Sequence, residues 1–142
     1  MNHTDKKLIL DFIKSNKIAV ISTNSETGWP QGAVIEFAET EELEIVFDTS
    51  VAYRKYKNLS KDKKTSFVIG WDKQITVQYE GLAEELMDAE EINAYKAIYF
   101  KKNPDAQRWE SDPEIRYFIV KPKWLRYSDL NVKPWKIIEL NF

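Results

Sequence analysis

The sequence predicts a mainly-β domain with flanking helices, folded as an antiparallel barrel of six short strands. Three observations carry that expectation. Short apolar, β-branched runs recur between turn-forming stretches; several alternate with period two; and only three short segments have the 3.6-residue spacing of a helix. At 142 residues the chain suits one domain, residues 1–142, large enough to bury a core without disulfides or a structural metal. Closing so many short strands into a barrel removes exposed edges.

Taken in order, Thr4 or Asp5 can cap a first helix whose apolar face is Leu8, Ile9, Phe12 and Ile13, the i, i+1, i+4, i+5 pattern of one helical side. Residues 18–23 are a β-branched run, 24–30 are rich in turn formers and 31–37 are apolar again, which together read as a hairpin. Residues 43–47 alternate as a third strand. The segment 54–59 has helical spacing and ends at Asn58 and the charged run 60–64. A second hairpin joins 65–71 to 74–82 across Asp72-Lys73, with Ile75, Val77 and Tyr79 on one face and Thr76, Gln78 and Glu80 on the other. Asp88 and Glu91 have capping-box spacing and open a helix through about residue 101, with Ile92, Tyr95, Ile98 and Tyr99 on its apolar face. Residues 103–113 break the pattern, 115–120 and 124–127 read as a strand or bent strand, and 135–140 as a last extended segment.

Composition narrows the chemistry. There is no cysteine and one histidine, His3, so thiolate nucleophiles, Cys/His zinc sites, disulfides and a Ser-His-Asp triad on a core histidine are closed. The acidic run Glu39, Glu41, Glu42 reads as solvated loop rather than as a metal site. A formal net charge of -2 gives no global attraction for nucleic acid or an anionic membrane. No stretch approaches the ~20 apolar residues of a membrane span, and residues 1–16 lack the features of a signal peptide, so a cytoplasmic protein is expected.

One motif stands out. Phe47-Asp48-Thr49-Ser50 ends a strand in hydroxyls, and Arg54-Lys55 follow at the start of a helical pattern. Thr49 and Ser50 can donate to phosphate oxygens, Arg54 can do so as a fork, and free N–H groups at a helix start add a positive dipole end. Periodicity leaves an oligonucleotide-binding barrel, a lipocalin-like cup and a flavin-binding split barrel all open. Tyr53, Tyr56, Trp71 and Tyr79 with nearby lysines would serve the first of these, against which the acidic balance argues.

The order of blocks decides among them. Residues 18–23 followed by Gly28-Trp29-Pro30-Gln31, then 32–37, Phe47-Asp48-Thr49 with Arg54-Lys55, and Val77-Gln78-Tyr79-Glu80-Gly81 resemble the pyridoxamine 5'-phosphate oxidase-like superfamily, the FMN-binding split barrels. The likeness is to its small single-domain members and runs over essentially the whole chain. It implies a six-stranded antiparallel split barrel that forms a homodimer with FMN at the subunit interface. By position, Arg54 and Lys55 would hold the FMN phosphate, Thr49 would donate its hydroxyl, and Asp48 would meet the flavin near the strand end. Backbone around Ala33, Val34 and Ile35 would border the isoalloxazine ring. Thr76 stands where the family has a flavin-contacting glutamine, with Gln78 two residues on. Trp124, Arg126 and Trp135 would either reach a flavin in the partner subunit or pack in the dimer.

Two departures matter. The family's arginine at the second strand corresponds to about Gly32, and its C-terminal Arg-x-His substrate clamp has no counterpart. The resemblance therefore implies an FMN-dependent oxidoreductase of a small molecule, with reduced nicotinamide as candidate electron donor, that does not oxidise pyridoxamine phosphate itself. The alternative it leaves is a protein that binds a flavin or related cofactor without turnover.

Overall fold

The computed structural model describes residues 2–142. Three helices, α1 (His3–Lys14), α2 (Arg54–Lys61) and α3 (Ala89–Lys102), and a 3-10 turn (Pro104–Trp109) surround eight strands: β1 (Ile18–Asn24), β2 (Pro30–Glu36), β3 (Ala38–Glu39), β4 (Ile45–Ser50), β5 (Lys64–Ile69), β6 (Ile75–Glu85), β7 (Ile115–Asp129) and β8 (Lys136–Asn141). The sheet runs β2-β1-β5-β6-β7-β4-β3, every pairing antiparallel, with β8 added beside β7. Its two ends, β2 and β3, are consecutive in the chain with Phe37 between them, so the sheet curls back on itself. The strands meet at Phe37 and part toward Pro30 and Ser50, leaving the barrel split along β2 and β4.

Burial follows the pleat. Ala19 and Ile21 (β1), Ile35 (β2), Phe67 and Ile69 (β5), Val77 and Tyr79 (β6) and Leu125 (β7) point inward and join α1's Ile9 and Ile13 in the main core. Phe47 stacks on Phe118 with centroids 5.3 Å apart, and Tyr56 of α2 meets Phe118 edge-on at 5.9 Å. Strand β4 is buried on both faces, because Val46 turns away from the barrel into a second core with Leu86, Tyr99, Phe100, Ala106, Tyr117 and Ile119. That second core seats α3 and the 3-10 turn beside the split.

Several expectations change at the elements' edges. Among the described residues there are eight strands rather than six, since a two-residue strand such as β3 leaves no period; the extended segment expected at 135–140 is β8, which pairs with β7. Asn2, not Thr4 or Asp5, caps α1, its side chain accepting from Thr4 N at 2.8 Å. Leu43 is not in a strand: it sits fully buried in a tight turn at φ 64°, a left-handed conformation costly for leucine that delivers its carbonyl to Tyr79 Oη at 2.8 Å. The strand or bent strand expected over 115–120 and 124–127 is present as one fifteen-residue strand. Its irregularity is a bulge, where β7 shifts register against Glu80 and Gly81 beside Pro122, the position at which a strand tolerates proline. Ile98 of α3, read as core, is 37% exposed, and Phe100 takes its place inside. The acidic run is engaged by lysines: Glu39 with Lys102, Glu41 with Lys14 and Glu42 with Lys6.

Candidate functional site

Two adjoining cavities fill the split and share Ala52, Tyr53 and Lys55. The first, about 270 Å³, lies over the open barrel end and is lined by Thr23, Gln31, Ala33, Arg54 and Lys55 among others. The second, about 410 Å³, runs toward α3 and the 3-10 turn past Val34, Ile35, Asp48, Thr49, Ser50 and Tyr99. Together they fall in the roughly 300–1,000 Å³ class of small-molecule sites. The structure thus brings Ala33, Val34, Ile35, Asp48, Thr49, Ser50, Arg54 and Lys55 to one cleft.

The first lobe is cationic. Arg54 and Lys55 open α2, whose N-terminus has no side-chain cap and no acidic residue in its first turn, and neither side chain makes a hydrogen bond or an ion pair among the described residues. Burial lowers the Lys55 ammonium below its ordinary value, with the Asp48 charge opposing, so an anion placed here would restore what burial removes. Asn58, one turn along α2 and 5% exposed, fixes the helix to the barrel. Its Nδ2 donates to Thr23 Oγ1 at 3.0 Å and to Gln31 Oε1 at 2.9 Å. Sequence reading placed Asn58 at the helix end; it is a buried bridge inside the helix, and only the spacing Arg54–Asn58, one helical turn, hinted at a shared task.

The second lobe is acidic and aromatic. Tyr99 Oη donates to Asp48 Oδ1 at 3.2 Å, and Asp48 Oδ2 and Thr49 Oγ1 are buried without a protein partner; so is the Oη of Tyr117, which pairs with Asp48 across β4 and β7 and lies in the second core rather than in the lining. Burial raises the Asp48 carboxyl above its ordinary value; the Tyr99 hydrogen bond opposes this and the Glu36 charge adds to it. Burial and the Asp48 charge push Tyr117 up to about 12. Ser50 is committed elsewhere: its hydroxyl donates to Glu114 at 3.3 Å and accepts from Ala52 N at 3.1 Å, which shapes the turn into α2 rather than freeing a donor. Glu36, Trp109 and Asp112 also line this lobe, and sequence gave no signal for them because three separate elements supply them.

Four expected residues lie outside both lobes. Thr76 donates to the Gly70 carbonyl within the β5–β6 hairpin. Gln78 stands on the sheet's outer face, in a cross-strand row Val34, Val20, Val68, Gln78, Arg126, Glu139. Trp124 is on that same face of β7, with the Arg126 guanidinium 5.5 Å from its ring, and Trp135 is 55% exposed just before β8.

A curled antiparallel half-barrel with helices packed beside its split, and a cation pair at that split, defines a split-barrel protein. The chain belongs to the pyridoxamine 5'-phosphate oxidase family, whose model matches residues 6–129. No curated protein matches it in sequence. Among solved structures, it is similar to a heme binding protein from Mycobacterium smegmatis (TM-score 0.83, 14% identity, 99% of this chain and 59% of that one). It is also similar to a protein from Clostridium acetobutylicum related to general stress protein 26 of B. subtilis (TM-score 0.78, 17% identity, 100% and 97%), and to HutZ, the heme storage protein from Vibrio cholerae (TM-score 0.72, 16% identity, 82% and 89%). The chain spans 59% of the mycobacterial protein's length. These identities speak to the fold.

Proposed function

We propose that this protein is an FMN-binding flavoprotein that works as a homodimer, takes electrons from reduced nicotinamide and passes them to a small-molecule acceptor, which is reduced. The observation that carries the reading is the unpaired Arg54–Lys55 couple at an uncapped helix start in the barrel's split, in a chain of this family. Arg54 and Lys55 would grip the phosphate, and the unpartnered Thr49 hydroxyl supplies a buried donor beside them. Ala33, Val34 and Ile35, on the edge strand β2, offer an apolar border to a ring. Bound FMN would supply the hydride and electron chemistry; the protein supplies grip, orientation and a dry cleft, for which no histidine or cysteine is needed.

The homodimer reading rests on the outer sheet face. Val34 is 64% and Val68 39% exposed there, an apolar stripe beside the split. Val34 and Gln78 lie three strand spacings apart, about 14 Å, too far to share one ring within a protomer. Isologous packing of this face would set Gln78 and Trp124 of one protomer against the partner's β2, where the family likeness calls for them.

The heme-named neighbours favour binding without turnover as the second reading. Heme needs an axial ligand, yet among the described residues no His, Cys or Met lines either lobe; Tyr53 and Tyr99 are the phenols present, and Tyr99 is bonded to Asp48. Oligonucleotide binding is disfavoured by Tyr79, which is 1% exposed and bonded inside the barrel, out of reach of a base. No helix among the described residues is long and apolar enough to cross a membrane. The visible absorption spectrum after incubation with FMN and dialysis, repeated with reduced nicotinamide, tests the proposal. Retained flavin bands that bleach support the oxidoreductase; retained bands that do not bleach support the storage reading; a protein that stays colourless overturns both flavin readings.

A further inference from the structure

The two lobes of the cleft have opposite character, and the second carries more unsatisfied polarity than a cofactor phosphate explains. Three of its features converge. Asp48 is held through one oxygen by Tyr99 of α3 at 3.2 Å, so its other oxygen, buried and unpartnered, is a fixed acceptor. Around it stand Glu36, Asp112 and Glu114, against Lys55, the single cation among the described residues of the lining, which forms no ion pair with Asp48. Two exposed rings complete the lining: Tyr53, 59% exposed, and Trp109, 47% exposed. Each already has a cation over its ring, Lys55 at 5.0 Å and Arg108 at 5.2 Å, the partner that an aromatic face attracts.

A buried acceptor that lacks a donor is costly, and each such group in a folded protein calls for a water, an ion or a ligand to complete it. An anion is the wrong complement here, since it would face Asp48 and Glu36 at close quarters. We propose that this lobe is the substrate pocket, and that it takes a planar molecule bearing a protonated nitrogen, which donates to the Asp48 carboxylate while Tyr53 and Trp109 offer ring faces. The inference rests on the FMN reading only for what occupies the neighbouring cationic lobe. Tyr99 is then a positioning residue, acting through Asp48. The pocket would select against carboxylate and phosphate substrates.

The test uses three probes of one ring and three charges, benzamidinium, benzamide and benzoate. Each is titrated into isotope-labelled protein with and without FMN, and binding is read from amide and indole chemical shifts. Benzamidinium is expected to move the signals of Asp48, Tyr99 and Trp109 and to bind at least tenfold more tightly than benzoate, with benzamide between. Asp48→Asn should weaken benzamidinium about tenfold, and Tyr99→Phe should weaken it less while leaving benzoate unaffected. Benzoate binding as tightly as benzamidinium, or an unchanged benzamidinium affinity in a folded Asp48→Asn variant, would overturn the proposal; the wild-type series decides it alone if that variant does not fold. Benzamidinium binding through Asp48 in a protein that rejects FMN would keep the pocket and sink the cofactor reading, so the two failures are distinct.

Discussion

The hydroxyl of Tyr99 donates to Asp48 Oδ1 across 3.2 Å, tying the middle of α3 to the end of β4 at the floor of the cleft. Burial and the neighbouring Asp48 charge hold the Tyr99 phenol above its ordinary value, so Tyr99 is a donor at every working pH and Asp48 the acceptor. The carboxylate's second oxygen has no such support. A strand end that is buried on both faces thus carries a charge the fold disfavours.

That conflict has a pH signature. The folded protein binds the Asp48 proton more tightly than the unfolded chain does, so Asp48 contributes stability that is fully present below the ordinary value of 3.8 and is lost as pH rises through the raised one. Asp48→Asn removes this dependence. Urea midpoints taken from pH 4 to pH 8 should show the variant gaining on the wild type as pH rises, by about 1 kcal/mol; a difference that is flat, or that moves the other way, would contradict the burial argument.

Asn58→Ala leaves Thr23 Oγ1 and Gln31 Oε1 without the amide donor that now reaches both. The loss should be about 2 kcal/mol in denaturant unfolding. Because α2 is then no longer fixed to β1 and β2, FMN affinity should fall too, although Asn58 lies one turn beyond the cation pair.

Gly81 sits at the β6–β7 bulge, where an added Cβ would lie 2.6 Å from the Lys121 carbonyl oxygen and 2.8 Å from Val120 Cγ1. Backbone cannot step aside as a side chain can. Gly81→Ala should therefore cost about 2 kcal/mol or more and lower the thermal midpoint by several degrees. A midpoint unchanged within error would mean that the bulge relaxes freely.

Val34 is 64% exposed on the outer face, so Val34→Asp should change monomer stability little. If that face joins two copies, sedimentation should shift from dimer to monomer and FMN retention should fall with it. An unaltered dimer would place the interface elsewhere.

Much of this fold was legible because its signals are local. The strand alternation, the Asp88 cap, whose side chain accepts from Glu91 N at 3.1 Å, and the Thr49-to-Lys55 spacing each lie within a few residues. Features set by tertiary contact were not legible. Asn58 looked like a helix end because its partners are 27 and 35 residues away. Leu43 looked like a strand residue because nothing local announces a left-handed leucine, and the strand or bent strand expected over 115–120 and 124–127 left 121–123 without a place because only the pairing with β6 shows the bulge that receives Pro122. Within the site, the hydroxyls and cations could be read from one motif, whereas the acidic lobe is assembled from β2, β4, α3 and the 3-10 turn and exists only once they pack.

The most direct measurement is a titration of FMN into wild type and into the Arg54→Ala/Lys55→Ala variant, with binding followed by quenching of flavin fluorescence and folding by the thermal midpoint. Among the described residues neither cation has a hydrogen-bond or ion-pair partner to lose, and burial already disfavours the Lys55 charge, so the midpoint should stay within about 3 °C. Losing two charge-assisted contacts should weaken FMN about a hundredfold or more. Equal affinity in the folded double variant would contradict the account and place the phosphate, if FMN binds at all, away from the split.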